Sequence, residues 1–219
     1  MTVPGTRMLL PVSRLDPIVQ AYRDHYTASP MIVDVGARDG DDTAALVTAL
    51  GGSGIAIEAR PDAAQTIRVT HPHLTVIQAA VHDHDGMTGF AVLESDDPDV
   101  VGSSGFRFER SYALGVPAHV IQVPCRRLDG ILPEGPIGVL KVDVEGFTLE
   151  ALHGLGERIA DVRVAHLETE TPARSGAPWH ERVTNGVVAD FMRRHGFTLT
   201  DLAYEWGPSI EDQTWVRLP

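Results

Sequence analysis

The chain has 219 residues, one cysteine, and 30 acidic against 18 basic residues, for a net charge of −12. That charge argues against a protein that holds nucleic acid by neutralising phosphates, and a lone Cys125 excludes an internal disulfide and every cysteine-rich zinc pattern. The length fits one domain with a sizeable core, and the breaks at Pro4, Gly5, Arg7 and Pro11 leave neither a signal-peptide core nor a membrane span, so a cytoplasmic protein is expected. Residues 1–30 read as an N-terminal helical segment, with Ile18, Val19, Tyr22 and Tyr26 at helical spacing and Pro30 as its stop. Residues 31–219 then read as the main domain.

Met31-Ile32-Val33-Asp34-Val35 is a short apolar strand ending at Gly36, and a helix runs from Asp41 to about Leu50. Ile55-Ala56-Ile57 is a second strand, a helix follows near 62–69, and residues 74–81 form a third strand. This alternation is the signature of a parallel sheet with right-handed crossovers. It breaks at about 86–124, where strands at 88–93 and 118–123 flank a polar stretch holding Asp96-Asp97-Pro98-Asp99 and Gly102-Ser103-Ser104-Gly105. A β-hairpin-like insertion with a mobile loop is expected there. A fourth core strand holds Lys141, a helix follows from Phe147 to Leu155, and residues 162–167 give the fifth strand. A helix around 187–192 and strands at 197–202 and 213–218 close the chain, the last of them antiparallel.

Lys141 is the only lysine, inside Val139-Leu140-Lys141-Val142-Asp143-Val144-Glu145-Gly146. On a strand, positions 139, 141, 143 and 145 share a face, so three charges in a buried run mark a site. Asp34-Val35-Gly36-Ala37-Arg38-Asp39-Gly40 turns from strand to helix, where Gly36 and Gly40 let a ligand approach the backbone. Glu58, 22 positions past Gly36 at the end of the second strand, suits a ribose diol. The turn lacks G-x-G-x-x-G, and Asp39, Asp41 and Asp42 would repel a pyrophosphate. A phosphate-free adenosyl ligand bearing a cationic sulfonium, S-adenosylmethionine, fits better.

Val33-Asp34-Val35-Gly36-Ala37 with Gly40, then Glu58-Ala59-Arg60-Pro61, then Leu140 to Gly146 with Leu149-Glu150 and Leu152, resemble the FkbM family of S-adenosylmethionine-dependent methyltransferases over about residues 31–170. Arg38 and Asp39 stand where the family usually has Asn and an apolar residue. The resemblance implies an α/β class I methyltransferase fold: a Rossmann-like seven-stranded sheet, order 3-2-1-4-5-7-6, last strand antiparallel. It also implies O-methylation of a small molecule such as a natural product or sugar. By motif, the cofactor falls to Asp34, Gly36, Ala37, Arg38, Gly40, Glu58, Ala59, Ala80, Val81 and Asp143.

An alcohol acceptor must lose a proton, and Asp143, Glu145, His166 and Glu168 are the candidate bases or acceptor-orienting groups. Glu145 could equally be a first-turn acid of the following helix. Lys141 is expected to support Asp143 and Glu145 rather than touch substrate. A divalent ion held by His166, Glu168, Glu170 and Asp143 is possible but not required. His82-Asp83-His84-Asp85-Gly86 reads as a turn with solvated histidines, and Trp179-His180 and Tyr204-Glu205-Trp206 as loop aromatics that recognise an acceptor or cap the core. The expected partner is a small-molecule acceptor, with no nucleic acid and no membrane; oligomeric state is left open. Alternatives are a non-catalytic adenosyl-binding protein, a nicotinamide oxidoreductase and a nucleic-acid methyltransferase.

Overall fold

The computed structural model describes residues 14–106, 115–172, 184–204 and 207–219; Trp179, His180, Glu205 and Trp206 lie outside them. Asp16–His25 (α1) leads into Met31–Val35 (β1), Asp41–Leu50 (α2), Ser53–Glu58 (β2), Pro61–Thr70 (α3) and Thr75–Gln78 (β3). Ala80–Val81 (β4), Gly86–Leu93 (β5), Pro98–Gly102 (α4) and Ala118–Arg126 (β6) come next. Leu128–Ile131 (α5), Ile137–Val142 (β7), Thr148–His153 (α6), Val162–Glu170 (β8), Asn185–Arg194 (α7), Phe197–Tyr204 (β9) and Ile210–Arg217 (β10) complete the chain.

The large sheet runs β3-β2-β1-β7-β8-β10-β9, with β10 antiparallel to both neighbours. Numbering only its own strands in chain order, that is the expected 3-2-1-4-5-7-6. Its strands are apolar on both faces because helices cover both. Val33, Val35, Leu140, Val142, Ala165 and Leu167 pack beneath α6 and α7, while Ile32, Val139, Val164 and Val216 pack under Ile18 and Tyr22 of α1 and Leu46 of α2. Among the described residues no helix is long and apolar enough to cross a membrane.

Two sequence expectations change. The third strand ends at Gln78, not residue 81: Ala79 N–H donates to Glu58 O at 3.0 Å, and Ala80 and Val81 leave to pair with Cys125 and Arg126 in a second sheet, β4-β6-β5. The insertion does contain an antiparallel pair, Gly86↔Cys125 through Leu93↔Ala118. Its described loop is tied to that pair at one point. Ser104 Oγ donates to Val101 O at 2.7 Å and accepts from Leu93 N–H at 3.0 Å, while Gly105 bridges Ala91. Lastly, β7 ends at Val142, and Glu145 has φ +55. Asp143 and Glu145 therefore stand in the turn beyond the strand, and Glu145 does not share the Lys141 face.

Candidate active site

Strand register places Asp34, Lys141, His166 and Thr214 side by side in one buried row across β1, β7, β8 and β10. Each lies two residues from an apolar residue packed under α1 and α2, so period-two alternation puts the row on that face. Lys141 Nζ is 3.3 Å from Asp34 Oδ1, 3.4 Å from Asp42 Oδ2 and 3.6 Å from Asp143 Oδ2. Thr43 Oγ1 donates to Asp34 Oδ2 at 2.7 Å, and Arg14 meets Asp42 at 2.5 Å. Burial alone would push the Lys141 ammonium down, but the carboxylates of Asp34, Asp143 and Asp42 outweigh it and hold it above its ordinary range. Burial pushes Asp34 up, with Lys141 and Thr43 offsetting part of that. Three carboxylates facing one ammonium keep Lys141 charged, while the neighbouring charges of Asp42 and Asp143 add to burial in raising Asp34. Expected to serve Asp143 and Glu145, Lys141 in fact ties together Asp34, Asp42 and Asp143.

His166 belongs to this row. Its Nδ1 lies 3.0 Å from Thr214 Oγ1 and its Nε2 3.9 Å from Asp212 Oδ2. Burial, then the charges of Lys141 and Arg14, push the imidazole down to about 3. The unfolded chain therefore takes up a proton near pH 6.5 that the folded chain refuses until about pH 3, and stability is lost as pH falls through that window. Between about pH 6 and 5 the slope from this residue approaches about 1.4 kcal/mol per pH unit. Urea melts at both pH values are expected to show that slope in the wild type and its loss in His166→Gln; equal slopes would remove His166 as the cause.

At the carboxyl ends of β1, β2 and β7 a cavity of about 930 Å³ opens, where ligands bind in open α/β sheets. Gly36 enters its wall with φ +83, and a Cβ there would stand 1.9 Å from Asp143 O, so only glycine lets the turn pass β7. Glu58 lines the same cavity, 7% exposed; its Oε2 accepts from Arg38 N–H at 2.9 Å and its Oε1 from Arg60 N–H at 2.8 Å. Burial pushes its carboxyl up, and those two N–H groups partly counter it. Arg38, Ala59, Ala80 and Val81 also line the wall. Asp34, Ala37, Gly40 and His166 do not. Gly40 is glycine for packing, since a Cβ would meet Ile67 Cγ2 at 2.8 Å, and Ala37 is buried beside Ile67 and Leu74.

Asp143, Glu145 and Glu168 bring one carboxylate oxygen each within 4.8 Å of one another at the cavity wall. Glu145 precedes α6, whose first-turn acid is Glu150, so the helix-dipole reading passes to that residue. Three convergent carboxylates can accept hydrogen bonds from an acceptor hydroxyl, take its proton, or ligate a hard cation. Sequence reasoning missed Arg14, Phe90, Phe106 and Ile210, which also line the cavity. Phe90 packs with Ala59, Ala80 and Val123, a contact made only once the second sheet docks on the first. Nothing in local spacing announces it. Arg38 reaches the insertion as well, for a Cβ on Gly102 would lie 3.2 Å from its Nε.

Among solved structures, the chain is similar to an rRNA methylase from Streptococcus thermophilus, at 11% identity over 96% of this chain and 99% of that one, TM-score 0.54. A candidate rRNA methylase from Clostridium thermocellum shares 10% over 96% and 99%, TM-score 0.57. A ribosomal protein L11 methylase from Lactobacillus delbrueckii subsp. bulgaricus shares 6% over 93% and 78%, TM-score 0.51. At these identities the likeness shows the fold alone. A search of curated protein sequences found no match. The sequence profile of the Methyltransferase FkbM domain matches residues 34–199, a span that holds the Gly36 turn, Glu58 and the three carboxylates. With well over half its length matched, the chain belongs to the FkbM methyltransferase family, and its chemistry is S-adenosylmethionine-dependent methyl transfer.

Proposed function

We propose that the chain methylates a hydroxyl or carboxyl oxygen of a small molecule such as a natural product or a sugar. One observation carries the reading: a single cavity joins the Gly36 turn and Glu58 on one side to Asp143, Glu145 and Glu168 on the other. The residues fit S-adenosylmethionine. Glu58 offers two carboxylate oxygens to a ribose diol, Ala59, Ala80, Val81 and Phe90 make an apolar slot for an adenine, and the volume lies in the range of ligand pockets, about 300–1,000 Å³. When bound, that cofactor supplies a methyl group already activated on a cationic sulfonium.

The protein's own task is alignment and exclusion of water. Asp143, Glu145 and Glu168 orient the acceptor oxygen, and one of them receives its proton as charge develops. Val100, Val101 and Phe106 of the insertion also wall the cavity, with Phe106 packed near Phe147 beyond β7. Asp34 acts from beneath: with its oxygens held by Thr43 and Lys141, it fixes the strand end from which the Gly36 turn departs. The net charge of −12 disfavours a nucleic-acid acceptor, and RNA is the rival outcome of an acceptor screen.

Calorimetry with S-adenosylmethionine, its demethylated product and NAD tests the cofactor half. Both sulfur ligands are expected to bind. Glu58→Ala should weaken that binding by about 1–3 kcal/mol through lost charged hydrogen bonds. Tight NAD binding with no response to either sulfur ligand would sink the reading, and unchanged affinity in Glu58→Ala would remove that residue from the ribose. Comparing metabolites of cells with and without the gene, for a gain of one methylene in mass, identifies the acceptor.

A further inference from the structure

The turn between β4 and β5 holds a second cluster of ligating side chains, outside the cavity. His82 Nδ1 lies 2.6 Å from Asp83 Oδ1, and His84 Nδ1 lies 2.9 Å from the same oxygen. The two imidazole centroids are 4.5 Å apart. His84 is solvated, as expected from sequence, whereas His82 is largely covered.

Two imidazole nitrogens and one carboxylate oxygen converge on a single point of the turn. Asp83 N–H donates to His82 Nδ1 at 2.9 Å, which requires a bare nitrogen there. A bare Nδ1 facing a carboxylate oxygen at 2.6 Å sets two acceptors against each other. Protonating Nδ1 repairs that contact and opposes the Asp83 N–H instead. A cation between nitrogen and oxygen takes the Nδ1 lone pair and relieves the acceptor–acceptor contact with Oδ1, releasing the Asp83 N–H. Metal–ligand bonds of about 2.0–2.2 Å place tetrahedral neighbours roughly 3.4 Å apart, so the three ligand atoms need to open by no more than about 1 Å to admit an ion.

We propose that His82, Asp83 and His84 bind a divalent transition-metal ion of the zinc type. Two imidazoles and a carboxylate suit Zn²⁺ or Ni²⁺ better than Mg²⁺ or Ca²⁺, and the exposure of His84 leaves room for water as the remaining ligand. The turn is held in advance. His82 N–H donates to Arg126 O at 3.1 Å, Arg127 Nη1 to Asp83 O at 2.7 Å, and Arg127 N–H to Asp85 Oδ1 at 3.0 Å. His82 also packs edge-on against Phe106, with centroids 5.5 Å apart, so an ion here would brace an aromatic residue that walls the cavity. The site is independent of the methyl-transfer reading.

The test is calorimetry of ZnCl₂ into metal-stripped protein without an affinity tag, alongside His84→Ala, Asp83→Asn and, as a control, His119→Ala. One ion per chain is expected in the wild type and the control. Loss of one ligand should weaken binding by at least about 10–100-fold, the cost of losing even an outer-shell partner. Zn²⁺ should also raise the melting temperature of the wild type but not of His84→Ala. Wild-type Zn²⁺ binding in His84→Ala overturns the proposal. So does binding kept there but lost in Asp143→Asn, which would put the ion among the cavity carboxylates.

Discussion

Lys141→Met is expected to lower stability by about 3–5 kcal/mol at neutral pH, the cost of removing one partner from a buried ion pair. Methionine nearly matches lysine in length, so the loss is electrostatic. It leaves Asp34, with no exposed surface, facing a thioether, and removes the one ammonium shared with Asp42 and Asp143. Asp34 must then take up a proton to fold. Its folded pKa lies above the unfolded value, so the neutral form favours folding at low pH and the penalty appears as pH rises. The deficit against wild type should therefore shrink as pH falls. Losing Lys141 also relieves His166, whose charged form it opposes, and this acts in the same direction. Adding Asp34→Asn removes the orphaned charge while keeping an acceptor for Thr43. The double variant should thus lose less than the two singles summed, by a coupling of about 0.5–3 kcal/mol. Urea melts measure all three variants, and a single-variant loss below about 1 kcal/mol would show that Lys141 is not the counter-ion of Asp34.

Lys141 also shows how far sequence carries. A lone ammonium in an apolar run marks a buried strand and a charged site, because burying a charge is tolerated only with partners. The partners themselves are another matter. Asp34 and Asp42 lie about a hundred residues away, and only the β1–β7 register and the approach of α2 bring them to Nζ. Glu145, two residues past Asp143, was the more natural guess from spacing, and a left-handed backbone at that residue takes it off the strand face. The same contrast runs through the cavity. Gly36 and Glu58 were legible because a βα turn and a strand-end carboxylate have fixed places in this sheet. Phe90, Phe106 and Ile210 were not, since they reach the cavity by docking of the second sheet and by the antiparallel return of β10. His166 was assigned to catalysis from its place on β8 beside Glu168. Its row, with Lys141 on one side and Thr214 on the other, is set by cross-strand register that no single segment reveals.

Asp143→Asn is expected to cut turnover by about 10²–10⁴-fold, the range of a general-base contribution, while S-adenosylmethionine still binds. Asp143 stands where β7 meets β1, at the switch point of the sheet. Its N–H donates to Val35 O at 2.9 Å, and its carbonyl passes against Gly36. That backbone anchor sets the residue at the cavity wall, where its carboxylate converges with those of Glu145 and Glu168. An amide there keeps the shape and accepts one hydrogen bond, but it cannot take the acceptor's proton. The side chain is 31% exposed and is one of three facing Lys141, so folding should change little. Glu145→Gln and Glu168→Gln are the necessary companions, since either carboxylate lies close enough to substitute. If Asp143 is the base, its variant alone loses the acidic limb of the kcat/KM profile, while the other two shift KM for the acceptor. Normal methylation by Asp143→Asn would move the proton to one of its neighbours and leave Asp143 as a fixed wall of the turn.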